Sequence, residues 1–321
     1  MGDLVPDATA DAMADPMADL AVGLDIGGTK SSAALVDREG RVHRSVSAPT
    51  PGADGAEAVL ATAAGLVRSL TDAGERVVGL GVGTAGVVAP GSGRIVSATD
   101  VLRGWAGTDV GAGLTDRTGI GRVVVDNDVH AHALGETWRG AATDATSVLF
   151  VAAGTGIGAS VVVDGRVWHG VRGVAGHLGH LPSPEASGIL CVCGGSGHVE
   201  AIAAGPAIVR HHDAHAAEPA GDLRTLARRA AGGDTGAAAS IDLGARALGR
   251  VVGGAANLLD PDAVVVGGGV VGAGALWWAA LEDALRAELL PPLRDLSVRP
   301  ALLAADAALV GAARLVWEDL A

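Results

Sequence analysis

From Leu20 onward, short apolar blocks alternate with polar turns. "LAVGLDIGGTKSSAALVDREGRVHRSVSA" (20–48) reads as three short strands with turns at "DIGGTK" and "DREGR". "AEAVLATAAGLVRSL" (56–70) has helical period and composition. "RVVGLGVGTAGVV" (76–88) predicts a strand entering a glycine loop, and "GRVVVDND" (121–128) another strand. "NDVHAHALGETW" (127–138) opens as a helix with Asn/Asp at its cap. The second half repeats the plan. "ATSVLFVAAGTGIGASVVVDGRVWHG" (145–170) predicts two strands around a glycine turn and a third short one, and 234–259 is helical. "DAVVVGGGVVGAGALWWAALEDALRAEL" (262–289) predicts a buried strand, a triple-glycine turn and a helix, and "VGAARLVWEDL" (310–320) closes the chain as a helix.

Each half therefore begins with a hairpin around a glycine turn, and each is α/β. Two such halves facing a cleft form a nucleotide-binding architecture, although no GxxxxGK[ST] is present. "GVGTAG" (81–86) matches GxGxxG after a strand, but Pro90 and two further glycines follow where a dinucleotide site needs a helix. Residues 1–18 read as a disordered acidic leader and 19–137 as the first domain, with the closing helix 307–321 a candidate to join it. Residues 138–306 form the second domain.

Composition narrows the class. Apolar residues make up 49 % of the 321, with one Phe and no Tyr, ample for a core. The net charge of −13 disfavours nucleic acid as a partner. The start of the chain has neither a cationic nor an apolar signal region, and no apolar run is long enough to span a bilayer, so a cytoplasmic protein without membrane contact is expected. The chain has 50 glycines, and a single lysine, Lys30, in "LDIGGTK". A turn after two glycines tolerates any polar residue, so Lys30 alone proves nothing.

Three glycine turns carry candidate chemistry. In "LDIGGTKSSAALVD" (24–37), Gly27 and Gly28 let backbone N–H groups approach a phosphate, and Asp25 is placed to hold Mg²⁺ directly or through water. "AAGTGIGAS" (152–160), with Gly154, Thr155 and Gly156, suits the other side of a triphosphate. "VVVGGGVVGAG" (264–274), with Gly267, Gly268 and Gly269, lies at a strand end where an adenosine fits. Both cysteines stand in "CVCGGSGH" (191–198), too close together for a useful disulfide.

With these motifs the chain resembles the ROK family (repressor, open reading frame, kinase) of the sugar-kinase, actin-like ATPase superfamily, from about Val22 to the C-terminus. The most specific part is "GVRGVAGHLGHLPSPEASGILCVCGGSGHVEAIAAG" (170–205). Family members carry AGExGH and then CxCGxxGCxE, with zinc on that second His and three Cys. Here His177 replaces the Glu and His198 replaces the third Cys.

The resemblance implies an actin-like fold of two α/β domains around a central cleft. It implies ATP with Mg²⁺ at Asp25, Gly27, Gly28, Thr29, Lys30 and the two later glycine turns. One structural Zn²⁺ would sit on His180, Cys191, Cys193 and His198, a closed Cys₂His₂ set. Asp128 would be the catalytic base, and Asn127, Asp128, His177, His180 and Glu200 would hold the sugar. From sequence, a helix cap explains an acid at Asn127–Asp128 equally well. The family's Asn-x-x-Gly-Trp loop is only partly present in "ATDVLRGW" (98–105), with Asp100 or Val101 at the Asn position. His130 and His132 read as helix-surface residues, and His169, His211, His212 and His215 as surface residues without partners.

The activity implied is ATP-dependent phosphorylation of the 6-hydroxyl of a hexose or N-acetylhexosamine, in a homodimer or higher homo-oligomer. ROK repressors place a DNA-reading module before DxGGT, and only 24 acidic, alanine-rich residues precede Asp25, so a regulator is disfavoured. A sugar-binding protein with lost catalysis is disfavoured because Asp25 and Asp128 are intact. His177 tilts the substrate toward N-acetylmannosamine, with glucose second, since a neutral imidazole can donate to an acetamido carbonyl.

Overall fold

The computed structural model describes residues 19–71 and 76–320; the acidic leader expected over 1–18 lies outside them. The first sheet contains β1 (Leu20–Ile26), β2 (Lys30–Val36), β3 (Val42–Pro49), β4 (Val77–Thr84) and β7 (Val123–Asn127). Between the last two lie a small ribbon, β5 (Val87–Val88) and β6 (Ile95–Ser97), and two helices of this half are α1 (Ala56–Thr71) and α2 (Val110–Thr118). After α3 (Asp128–Arg139) comes the second sheet: β8 (Ser147–Ala153), β9 (Ile157–Val163), β10 (Arg166–Val167), β11 (Ala263–Gly267) and β12 (Ser297–Pro300). Helices α4 (Glu200–Ala203), α5 (Gly205–Asp213), α6 (Leu223–Ala231) and α7 (Thr235–Leu259) are inserted before β11, and α8 (Ala275–Glu288) precedes β12. Helix α9 (Ala307–Asp319) closes the chain.

The strand orders are β3-β2-β1-β4-β7 and β10-β9-β8-β11-β12. In each sheet the first three strands pair antiparallel and the last three parallel. The repeat read from the apolar pattern is thus a repeat of topology. Interior strands β1 and β11 are buried along nearly their whole length, as strands covered on both faces must be. At "GVGTAG", β4 ends at Thr84 and the chain turns into β5, so no helix follows the false dinucleotide motif.

Helix α9 crosses back onto the first sheet and α3. A Cβ on Gly23 would fall 1.9 Å from the Leu309 carbonyl oxygen, and one on Gly81 1.7 Å from that of Ala312. Only glycine at these strand positions lets the helix backbone lie this close. The packing holds the start of α3 against the carboxyl ends of β4 and β7. Ligands of open α/β sheets collect beyond those ends.

Candidate active site

Strand β7 delivers Asn127 to the sheet edge, and α3 begins one residue later. Asn127 has extended backbone and caps the helix, its Oδ1 accepting from the Val129 amide at 2.9 Å. Its Nδ2 donates to the Gly86 carbonyl at 3.0 Å. The capping role falls to Asn127, so Asp128 is not needed for it. Asp128 Oδ1 accepts from the same Val129 amide at 2.9 Å, in the first turn, where the helix dipole favours a carboxylate. His132 reaches back with Nδ1 2.8 Å from the Asp128 carbonyl oxygen.

Asp25 is the partly exposed residue near the end of β1, close enough to this helix start for the Asp128 charge to act on it. Burial pushes its carboxyl up to about 6, with the Asp128 charge adding to the rise and His132 and Lys30 opposing it. The turn that follows is closed by the Gly27 amide donating to the Lys30 carbonyl at 3.2 Å. Thr29 and Lys30 are exposed there. The 98–105 segment lies beside this turn: Val101 packs over Gly28, and Trp105, 1 % exposed, donates Nε1–H to Thr84 Oγ1 at 3.2 Å. Asp100 is exposed.

The second and third glycine turns meet each other. The Gly154 amide donates to the Gly156 carbonyl at 2.9 Å, and the Gly205 amide at the start of α5 donates to the Gly154 carbonyl at 2.9 Å. Gly268 has φ 93°, and a Cβ there would strike the Ala153 carbonyl oxygen at 2.3 Å. Gly267–Gly269 therefore sit against the end of β8. On its other side, the β8–β9 turn touches Glu200, whose Oε2 accepts from the Ile157 amide at 2.8 Å. Gly158, early in β9, abuts the Val129 side chain of α3. These contacts bring the second glycine turn to the start of α3, the same helix start whose Asp128 charge acts on Asp25.

His180, Cys191, Cys193 and His198 converge, with one ligand atom from each lying within 4.8 Å of all the others. Cys191 Sγ is 3.6 Å from His180 Nδ1, and Cys193 Sγ is 3.2 Å from His198 Nδ1. Tetrahedral Zn²⁺ with bonds of about 2.0–2.1 Å to nitrogen and 2.3 Å to sulfur separates N and S by about 3.5 Å. The quartet could hold that ion with little movement. The cysteines are not joined to each other. Cys191 Sγ also lies 3.8 Å from Glu200 Oε1, which links the loop to α4. His177 is exposed near His180; partial desolvation, with the charges of His180 and His130, holds its imidazole below the ordinary value.

Of the histidines read as surface residues, His215 is exposed, and the others behave differently. His130 is 3 % exposed, with Nδ1 2.7 Å from Asp126 Oδ1, and His169 Nε2 is 2.7 Å from Asp126 Oδ2. His132 is half-buried and stacks on Phe150. His212 is buried, and His211 Nδ1 lies 3.0 Å from Ser240 Oγ. The reading failed because strand and helix neighbours far along the chain cover these rings. The Asp126/His130 spacing of four on a helix entrance was a visible signal; nothing local pointed to His169.

Duplicated sheets of the same strand order, with glycine turns after β1 and β8, give the actin-like ATPase fold. The ROK family model matches residues 21–319, and the chain belongs to the ROK family. It is 31 % identical to a glucokinase of Thermotoga maritima over 93 % of this chain and 98 % of that one. It is 34 % identical to an N-acetylmannosamine kinase of Escherichia coli, again over 93 % and 98 %. A ROK hexokinase structure from Thermus thermophilus superposes with a TM-score of 0.84 at 35 % identity, covering 94 % of this chain and 99 % of that one. No helix among the described residues is long and apolar enough to cross a membrane.

Proposed function

We propose that the protein is an ATP-dependent sugar kinase acting on the 6-hydroxyl of a hexose or N-acetylhexosamine, with N-acetylmannosamine the first candidate and glucose the second. The observation that carries this reading is the approach of two acids, Asp25 near the end of β1 and Asp128 at the start of α3, each with its own role in phosphoryl transfer.

In this reading Asp25 holds the Mg²⁺ that accompanies ATP, and the amides around Gly27–Lys30 and Gly154–Gly156 face the phosphates. Gly267–Gly269 lie under the adenosine. Asn127, His177, His180 and Glu200 orient the sugar so that its hydroxyl lies in line with the γ-phosphate. The hydroxyl oxygen forms the new bond to phosphorus while the bond from phosphorus to the β,γ-bridging oxygen breaks and ADP leaves. The hydroxyl proton passes to the Asp128 carboxylate. A weak base suffices, because positioning and charge stabilisation supply most of the acceleration. Zn²⁺ on His180 Nδ1, Cys191, Cys193 and His198 would be structural, with no ligand position left open for water. The His180 ring is then left with Nε2 for a sugar hydroxyl.

The His177 imidazole, which partial desolvation holds below its ordinary value, supports the acetamido sugar, since it can donate to the acetyl carbonyl where a carboxylate would oppose it. A coupled ADP-release assay over glucose, mannose, N-acetylglucosamine and N-acetylmannosamine tests the proposal. The highest kcat/KM is expected for N-acetylmannosamine. Absence of ADP release with every sugar would overturn the kinase reading.

A further inference from the structure

Asp126 precedes the proposed sugar and base residues and is 5 % exposed. Its carboxylate is held from three directions. Oδ1 lies 2.7 Å from His130 Nδ1 on α3 and 2.7 Å from the Asn127 amide, and Oδ2 lies 2.7 Å from His169 Nε2. The two imidazoles meet edge to face, with ring centres 5.0 Å apart. His169 stands in the segment after β10, on the second sheet, whereas Asp126 and His130 flank the end of the first. His169 also anchors its own loop: its carbonyl accepts from the Ala175 amide at 3.1 Å, two residues before His177. The next residue, Gly176, ties to β9 through its carbonyl, which accepts from the Ala159 amide at 2.8 Å.

We propose that Asp126, bridging His130 and His169, is a positioning clamp that fixes loop 168–180, bearing His177 and His180, against the strand end bearing Asn127 and Asp128. The inference rests on the sugar-kinase reading for its effect on sugar, but its effect on the loop stands apart from it. A buried carboxylate that loses a partner leaves an uncompensated charge, so the clamp holds or fails as a unit. Burial alone would raise the Asp126 carboxyl; the hydrogen bonds from His130 and His169 outweigh it and hold it down to about 2. The bond to Asp126 raises the His169 imidazole, against desolvation, and Glu318 of α9 adds to the rise. Arg314 pairs with Glu318 at 2.9 Å and Arg166 on β10 moderates that charge further, while the His130 charge also acts on His177. A raised imidazole carries its charge fully below its ordinary value near 6.5 and gives it up as pH climbs through the raised value, so the clamp weakens toward alkaline pH.

The test compares wild type, His169→Ala and His169→Gln as purified full chains. In His169→Ala the KM for the sugar should rise about ten-fold or more, with kcat and the KM for ATP within about three-fold. His169→Gln, which retains an N–H donor, should recover most of the loss. The alkaline rise in sugar KM should be present in wild type and absent from His169→Gln. Hydrogen exchange at the amides of Ala175 and His180 should accelerate in His169→Ala, with or without turnover. Unchanged exchange there would overturn the clamp even if the enzyme proved inactive on sugars. With an active wild type, an unchanged sugar KM would overturn it too. So would an equal loss in kcat and both KM values, or a second equivalent of zinc in wild type that His169→Ala releases, which would make the cluster a metal centre. Inactivity of wild type alone would count against the kinase reading and leave the exchange result to decide the clamp.

Discussion

Glu200 Oε2 accepts a hydrogen bond from the Ile157 amide at 2.8 Å, which joins the first residue of α4 to the first residue of β9. The bond couples the cysteine loop to the second glycine turn. Removing the acceptor should loosen both. Glu200→Ala should cut kcat/KM by about 100-fold, with the KM rising for sugar and for ATP, since the loss of a half-buried charged acceptor costs about 1.5–3 kcal/mol and leaves the amide unpaired. Glu200→Gln keeps an acceptor for Ile157 and should lose mainly sugar affinity. Steady-state kinetics with each substrate varied separates the two.

Asp128→Asn should lower kcat by about 10³-fold or more while sugar affinity stays within a few-fold. The fold should tolerate it, because Asn127 already caps α3 and bonds the same Val129 amide. Isothermal titration with sugar beside turnover measurements checks both halves. Near-normal turnover would move the base elsewhere.

Fresh protein should contain about one zinc per chain. Cys193→Ala should lose it, lower the Tm and raise the sugar KM, since His180 belongs to the quartet and Glu200 borders it. Elemental analysis of the two proteins reads the result directly.

The Asp25 carboxyl, pushed to about 6 by burial, predicts a pH dependence for Mg·ATP. As pH falls through about 6 the group protonates, and cation affinity should fall by up to about ten-fold per unit below that point. The sign for stability is opposite. A folded value above the ordinary 3.8 means that ionised Asp25 is a burden on the fold above about 6, relieved as pH drops. Asp25→Asn should therefore abolish Mg·ATP binding and its pH step, yet raise the Tm at pH 7.5.

His177→Glu should shift kcat/KM toward glucose over N-acetylmannosamine by about ten-fold, equal to about 1.4 kcal/mol. A carboxylate there would face an acetyl carbonyl acceptor to acceptor, while a glucose hydroxyl can donate to it. If both sugars lose alike, His177 does not meet the substituent on the sugar's second carbon.

The sequence by itself determined the elements and their order. Strands 20–26 and 263–267, helix 235–259 and the glycine turns are written in apolar period and turn chemistry, which act within a few residues. The convergence of His180, Cys191, Cys193 and His198, all within 19 positions of one another, was expected from the family resemblance and not from period or turn chemistry. Tertiary structure alone decided which of Asn127 and Asp128 caps α3, because an acid and an amide serve equally until the backbone turns at Asn127. It also decided the fate of the histidines. His169 reaches Asp126 across 43 positions, and no local pattern records a partner brought by the pairing of distant strands. Burial of His130 likewise depends on packing around α3, which amphipathic spacing on one helix cannot foresee when both faces are covered.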